Sequence, residues 1–213
     1  MRLTKKTIIA LLAIFCMVVC VGCVSFDTSG YVKAILDNCL KGESAALVEY
    51  TKSSEEEVSA RYEEQIKANL DGILVNAAVS DELKEEYRSF VIDLLKQTKY
   101  EVGESTKNQD GTYSVSVKTY TLQLEVLTAM QEKNEAYINE LQEAGANGEE
   151  IPSNEEITEN QYRITLDCLK EGLANATYSD AIDNTITISI ENKLYSPSQN
   201  DLNNVCNTLI KMY

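Results

Sequence analysis

The chain has 213 residues, with 34 acidic against 19 basic side chains, a net charge of −15, and neither histidine nor tryptophan. The lack of histidine excludes serine–histidine–aspartate and cysteine–histidine catalysis and the common zinc sites. The negative charge opposes nucleic-acid binding, which neutralises phosphates with Lys and Arg. The first element in chain order is a basic start (Arg2, Lys5, Lys6), an apolar run from Ile8 to Val21, and Gly22 directly before Cys23. That order is an n-region, an h-region and a small-residue cleavage point of a secretory signal peptide. As helix, the run would reach about 21 Å, short of the roughly 30 Å of a bilayer core. Residues 1–22 are therefore expected to be a removed export signal. Since they carry three basic and no acidic residues, the remainder holds 16 basic against 34 acidic side chains, a net −18. Anionic headgroups would repel such a domain, so membrane contact should come from an anchor and not from a basic face.

Cys20-Val21-Gly22-Cys23 resembles a bacterial lipobox, with Cys20 where Leu is usual. The resemblance implies cleavage between Gly22 and Cys23 and a diacylglycerol on the Cys23 sulfur, with acyl chains such as palmitate. Two acyl chains suit stable anchoring, since one chain binds marginally and reversibly. Two alternatives are ordinary cleavage that leaves Cys23 a plain thiol, and an uncleaved helix extending through Phe26. The expected location is the outer face of the cell membrane, with a tether over residues 23–28 and one domain over 29–213.

Within that domain, Tyr31, Val32, Ile35, Leu36 and Cys39 recur at helical spacing until Gly42. Ser44 opens a short second helix. Ser54-Glu55-Glu56-Glu57 forms a capping box ahead of the stripe Val58, Tyr62, Ile66, Leu70 and Ile73. A fourth helix from Ser80 or Asp81 carries Leu83, Tyr87, Phe90, Val91 and Leu94 on one face. The period then changes to two: Tyr100 and Val102 alternate with polar neighbours, and Asn108 to Gly111 is a turn. The next strand places Tyr113, Val115 and Val117 on one parity and Tyr120, Leu122 and Leu124 on the other. Either a bulge near Lys118–Thr119 or a strand that changes its buried face as it changes neighbours accounts for this. A helical hairpin is expected within 125–177, its return arm capped by Ser153 and Glu156. A last strand is expected over Asn184–Tyr195, and after Pro197 a terminal helix burying Leu202, Val205, Cys206, Leu209 and Ile210. The expected fold is α+β: N-terminal amphipathic helices packed on a small curved antiparallel sheet, a helical hairpin inserted before the last strand, and a C-terminal helix.

The stretch Phe26 to Asp37, followed by Lys41-Gly42-Glu43 and Ser53-Ser54-Glu55-Glu56-Glu57, resembles an uncharacterised family of Gram-positive surface lipoproteins. Tyr195-Ser196-Pro197-Ser198 is similar to the turn before that family's terminal helix. The resemblance implies a domain of unknown function with no catalytic residues to carry over. A wider resemblance, resting on Tyr31 to Val48, is to NTF2-like domains, which seat N-terminal helices in the hollow of a curved sheet.

The functional expectation is a non-enzymatic binding or envelope-associated module without cofactor. Tyrosine outnumbers phenylalanine twelve to three, and its ring offers apolar area with a polar tip. Tyr100, Tyr113, Tyr120 and Tyr195 on or beside the sheet are the candidate lining of a small-ligand hollow, the alternative being core-edge residues with wet hydroxyls. A second expectation is a surface hydrolase working through paired carboxylates, for which Asp167, Asp180 and Asp183 are the candidates. Calcium binding lacks the regular spaced-Asp loop, and Cys39, Cys168 and Cys206 fall on apolar stripes without metal or redox spacing.

Overall fold

The computed structural model describes residues 18–19, 26–75 and 77–213. The assignments at Gly22 and Cys23 lie outside the described residues. Helices α1 (Thr28–Lys41), α2 (Ala45–Thr51), α3 (Glu55–Ile73) and α4 (Asp81–Lys96) come first. Each begins or ends where local chemistry requires. Asp27 accepts the Gly30 N–H to start α1, and Gly42 closes it in the left-handed region at φ 73°, a conformation glycine adopts without a Cβ clash. Reciprocal Ser54–Glu57 bonds start α3 as a capping box, and Ser80 accepts the Leu83 N–H at the start of α4.

Strands β2 (Lys99–Lys107) and β3 (Tyr113–Leu124) form a hairpin, followed by helices α5 (Leu127–Ala146) and α6 (Asn154–Ala174), the latter opened by the Ser153–Glu156 box. Next come β4 (Thr177–Glu191), β5 (Leu194–Pro197), α7 (Gln199–Asn207) and β6 (Ile210–Met212). The sheet order is β5-β4-β3-β2, antiparallel throughout, with β6 parallel to the far end of β3 and a two-residue strand β1 (Val18–Val19) on β5. The architecture is α+β as expected, with three differences in the strands. The strand expected over Asn184–Tyr195 is a hairpin. Asn192 and Lys193 both have positive φ, the geometry of a tight two-residue turn. The strand before it also starts earlier, at Thr177. The helical hairpin accordingly precedes three strands, β4, β5 and β6, and not one. Finally, Leu209 and Ile210 are buried as expected, but beyond the end of α7, with Ile210 in β6.

The last difference explains the parity change in β3. Pairing with β2 ends at Lys99↔Tyr120, and pairing with β6 begins at Leu122↔Ile210. The strand changes neighbours there and buries Thr119 and Thr121 on one parity, then Leu122 and Leu124 on the other. No bulge lies at Lys118–Thr119. The extra residues sit on the partner strands: Gly103–Glu104 opposite Ser116, and Ser179–Asp180 opposite Thr121. The Ser179 hydroxyl accepts the Thr121 N–H at 3.0 Å. Two such bulges bend the sheet and increase its twist.

The inner face presents Val115, Val117, Ile186 and Ile188, each at most 1 % exposed. Against it lies α1, which touches β2 and β3, while α7 covers β4. Helices α3 and α4 pack on α1, and α6 packs on α4. Gly172 on α6 is placed so that a Cβ would come 2.1 Å from Val126 Cγ1. Gly172→Ala should therefore destabilise the fold by about 1–3 kcal/mol through overpacking. Leu122→Ala should cost about 2–5 kcal/mol through a core cavity. Urea unfolding of both variants checks this, with exposed Lys118→Ala as the near-neutral control.

Candidate functional site

The four tyrosines separate into three environments. Tyr100 points from β2 towards α1, and its hydroxyl donates to Asp37 Oδ1 at 2.5 Å. Lys33 ion-pairs with the same carboxylate, and Lys41 Nζ donates to it at 3.3 Å while lying 4.9 Å above the Tyr100 ring. Asp37 is the one carboxylate buried among the described residues. Burial pushes its carboxyl upward, but Lys33, Tyr100 and Lys41 together outweigh this and hold it below 3.8. Burial, then the bond to Asp37, pushes the Tyr100 hydroxyl far up. At neutral pH this is a protonated phenol donating to a charged carboxylate, a clasp between helix and sheet.

Tyr113 and Tyr195 meet at one end of the sheet, with ring centroids 6.5 Å apart. Phe26 stacks on Tyr195 at 3.9 Å and presents edges to Tyr31 and Tyr50 at 5.3 and 5.7 Å. The Tyr50 hydroxyl donates to Asp27 at 3.1 Å, and burial with the Asp27 charge pushes it up to about 12. Tyr120 stands on the opposite, outer face, donating to Glu101 at 2.8 Å, with Lys99 Nζ 4.5 Å above its ring. The four thus share no common hollow. Buried side chains of α1, including Tyr31, Val32 and Ile35, fill the space against the sheet.

The open concavity lies elsewhere, between α4 and α6. It is a groove of about 750 Å³ lined by Glu82, Glu86, Ser89, Phe90, Asp93 and Leu173, among others. Phe90 and Leu173 are buried at its floor. Arg163 ties its two walls together, donating to Glu86 at 3.1 Å and Glu159 at 2.9 Å, and Lys170 donates to Glu86 at 2.7 Å. Hydrogen bonding from Lys170, helped by Arg163, holds the Glu86 carboxyl below its ordinary range. Glu85 and Asp93 form no ion pair among the described residues. An apolar floor beneath a mainly acidic rim in an open groove suits a segment that lays an apolar side chain between basic ones. Sequence patterning marked the buried stripe of α4 but could not show which helix would stand beside it.

The remaining candidates are placed as follows. Asp167, Asp180 and Asp183 are exposed. Cys39, Cys168 and Cys206 are free and buried, and burial pushes the Cys39 thiol up to about 12. Thiolate chemistry is thereby suppressed at neutral pH. Among the described residues no cluster of three Cys, Asp or Glu is positioned to hold a metal ion. No described helix is long and apolar enough to cross a membrane.

Because the folded-state value of Asp37 is depressed, its stabilisation is present above the unfolded value near 3.8 and is lost as pH falls through the folded one. Asp37→Asn should lower stability at pH 7 by about 1.5–3 kcal/mol, the range for hydrogen bonds to a charged group. The gap from wild type should narrow below about pH 4. Urea unfolding at pH 7 and at pH 3 reads both effects.

No family model and no curated protein sequence matches the chain. Among solved structures, the crystal structure of a candidate lipoprotein, ycdA, from Bacillus subtilis is similar at a TM-score of 0.56 and 12% identity. The match covers 86% of this chain and 56% of that one, so the chain spans a little over half the length of its structural neighbour. At that identity the likeness is one of fold.

Proposed function

We propose that this protein is a lipid-anchored, non-enzymatic binding module on the outer face of the cell membrane. Cys23 carries the anchor, and the α4–α6 groove receives a basic, apolar-tipped peptide segment of an envelope partner. The observation that carries this reading is the groove itself. Its volume of about 750 Å³ falls within the usual range of ligand sites, and it joins an apolar floor to a charged rim. The export signal, the lipobox-like Cys20 to Cys23 and the name of the Bacillus neighbour support the anchor. Seating of α1 against a bulged sheet supports a distant NTF2-like relationship. A carboxylate hydrolase finds less support, because the candidate acids are exposed and the buried Asp37 is matched to two lysines and a phenol.

Two measurements test the reading. In the producing cell, Cys23→Ala should abolish acylation and leave the protein either released or retained with its signal uncut, read by fractionation with intact mass. A photo-crosslinking residue at Ser89 in the anchored protein should give a discrete adduct that the same residue at Thr185, on the outer sheet face, does not. Reversing Glu85 and Asp93 to Lys should remove that adduct. Equal adducts from both positions, or one indifferent to the charge reversal, would exclude the groove.

A further inference from the structure

The domain takes hold of its own N-terminal segment at Phe26, packed among Tyr195, Tyr31 and Tyr50. Asp27 fixes the next step by capping α1 through Gly30 and accepting from Tyr50. From Cys23 to Phe26 there are three residue steps, at most about 11 Å of extended chain. If Cys23 carries its acyl chains at the glycerol level, Phe26 stays within about 11 Å of it, at or just outside the headgroup layer of the same leaflet. The end of the sheet that holds Phe26 is therefore held against the membrane.

That end has a surface suited to the position. Tyr113 lies opposite Ile188, and Tyr195 lies opposite Ile190. Ile190 is a β-branched side chain 38 % exposed, although the same parity further along β4 is core. The turn Asn192–Lys193 projects beyond it, and Lys107 Nζ lies 5.9 Å from the Tyr113 ring. Amphipathic tyrosines and an exposed aliphatic residue flanked by lysines match the composition of protein surfaces at a headgroup layer. The charges are mixed, because Glu191 shares this end with Lys107 and Lys193, and the Glu49 charge lies beside Tyr50. Contact through aromatic and aliphatic groups should accordingly depend little on anionic lipid or salt.

We propose that the Phe26–Tyr195–Ile190 end of the sheet, with the β4–β5 turn, docks on the phospholipid headgroups of the outer leaflet; this rests on the acylation of Cys23 proposed above. The opposite end then stands away from the membrane. The run from Tyr113 to Leu124 along β3 is about 36 Å at the usual strand rise. The Gln97 end of the α4–α6 groove lies at that distal end, where the Tyr178 hydroxyl donates to the Gln97 carbonyl at 2.6 Å. Docking therefore holds the groove entrance beside Tyr178 outward, facing the envelope.

Because the chain lacks tryptophan, single tryptophans report position without background. Full-length acylated protein carrying Ile190→Trp, Glu191→Trp or Tyr178→Trp would be reconstituted in vesicles of phosphatidylcholine with and without lipid carrying a nitroxide on its headgroup. Emission from the first two should fall by about half, as expected for groups at the headgroup level where interfacial aromatic rings sit, while Tyr178→Trp stays unquenched. The pattern should persist when the vesicles contain phosphatidylglycerol. Intact mass of the same samples reports acylation. An unacylated Cys23 overturns the anchor and the docking together. An acylated chain with no quenching at either of the two positions, or with equal quenching at Tyr178, overturns the docking alone. The exposed Glu191 position keeps the test valid if Ile190→Trp perturbs folding.

Discussion

The burial of α1 against the sheet is the constraint on which the other packing depends. Ten of its fourteen residues are buried, so it is covered by the sheet, by α3 and by α4 instead of showing one wet face. Such a helix has nowhere to put a charge cheaply, yet Asp37 lies within it. The carboxylate is tolerated because Tyr100 donates from β2 and two lysines of α1 reach it from one turn either side. Removing one partner of so buried a charge costs more than the pair itself contributes, because the other is left desolvated. The Asp37–Tyr100 bond thus fixes the axial position of α1 along β2. From there, the capped start of α1 places Phe26 among the tyrosines at the far end of the same helix.

That packing also redirects the functional question. Where a curved sheet holds its first helix off the floor, a hollow remains beneath it. Here Tyr31, Val32, Ile35 and Leu36 occupy the space, and the tyrosines around it are structural: one clasps Asp37, two enter an aromatic cluster, and one lies on the outer face. A groove lies instead where two helices diverge over the outside of the core, between α4 and α6. Arg163 and Lys170 span that divergence through their ion pairs with Glu86. Phe26 and the Gln97 end of the groove occupy opposite ends of the sheet.

The abundance of acid side chains has a plainer role. Apart from Asp37, the carboxylates are exposed or half-buried, many of them on helix faces and at helix starts, where Glu57 and Glu156 complete capping boxes. A net charge far from zero keeps such a surface soluble and repels like-charged neighbours. The thiols are the opposite case, small apolar side chains within the core, with acidity suppressed by burial.

Helix positions were legible in the chain because 3.6-residue stripes and capping boxes are local: Ser54–Glu57 and Ser153–Glu156 act within one turn and need no tertiary contact. The acidity of the chain and the order of basic, apolar and small residues before Cys23 are likewise properties of sequence alone. The change of parity in β3 was visible too, but its cause was not, since a strand cannot reveal that its neighbour stops at Lys99 and that the last residues of the chain take its place. The hairpin at Asn192–Lys193 was missed for a related reason, as neither residue is glycine and the flanking apolar residues read as one continuous strand. The carboxylate of Asp37 looked like any other of 34 acids until Tyr100, 63 positions away, was seen to meet it. Periodicity therefore determined which faces are apolar. Only the tertiary structure decided which of those faces meet, because that depends on long-range pairings whose residues carry no mark of their partners.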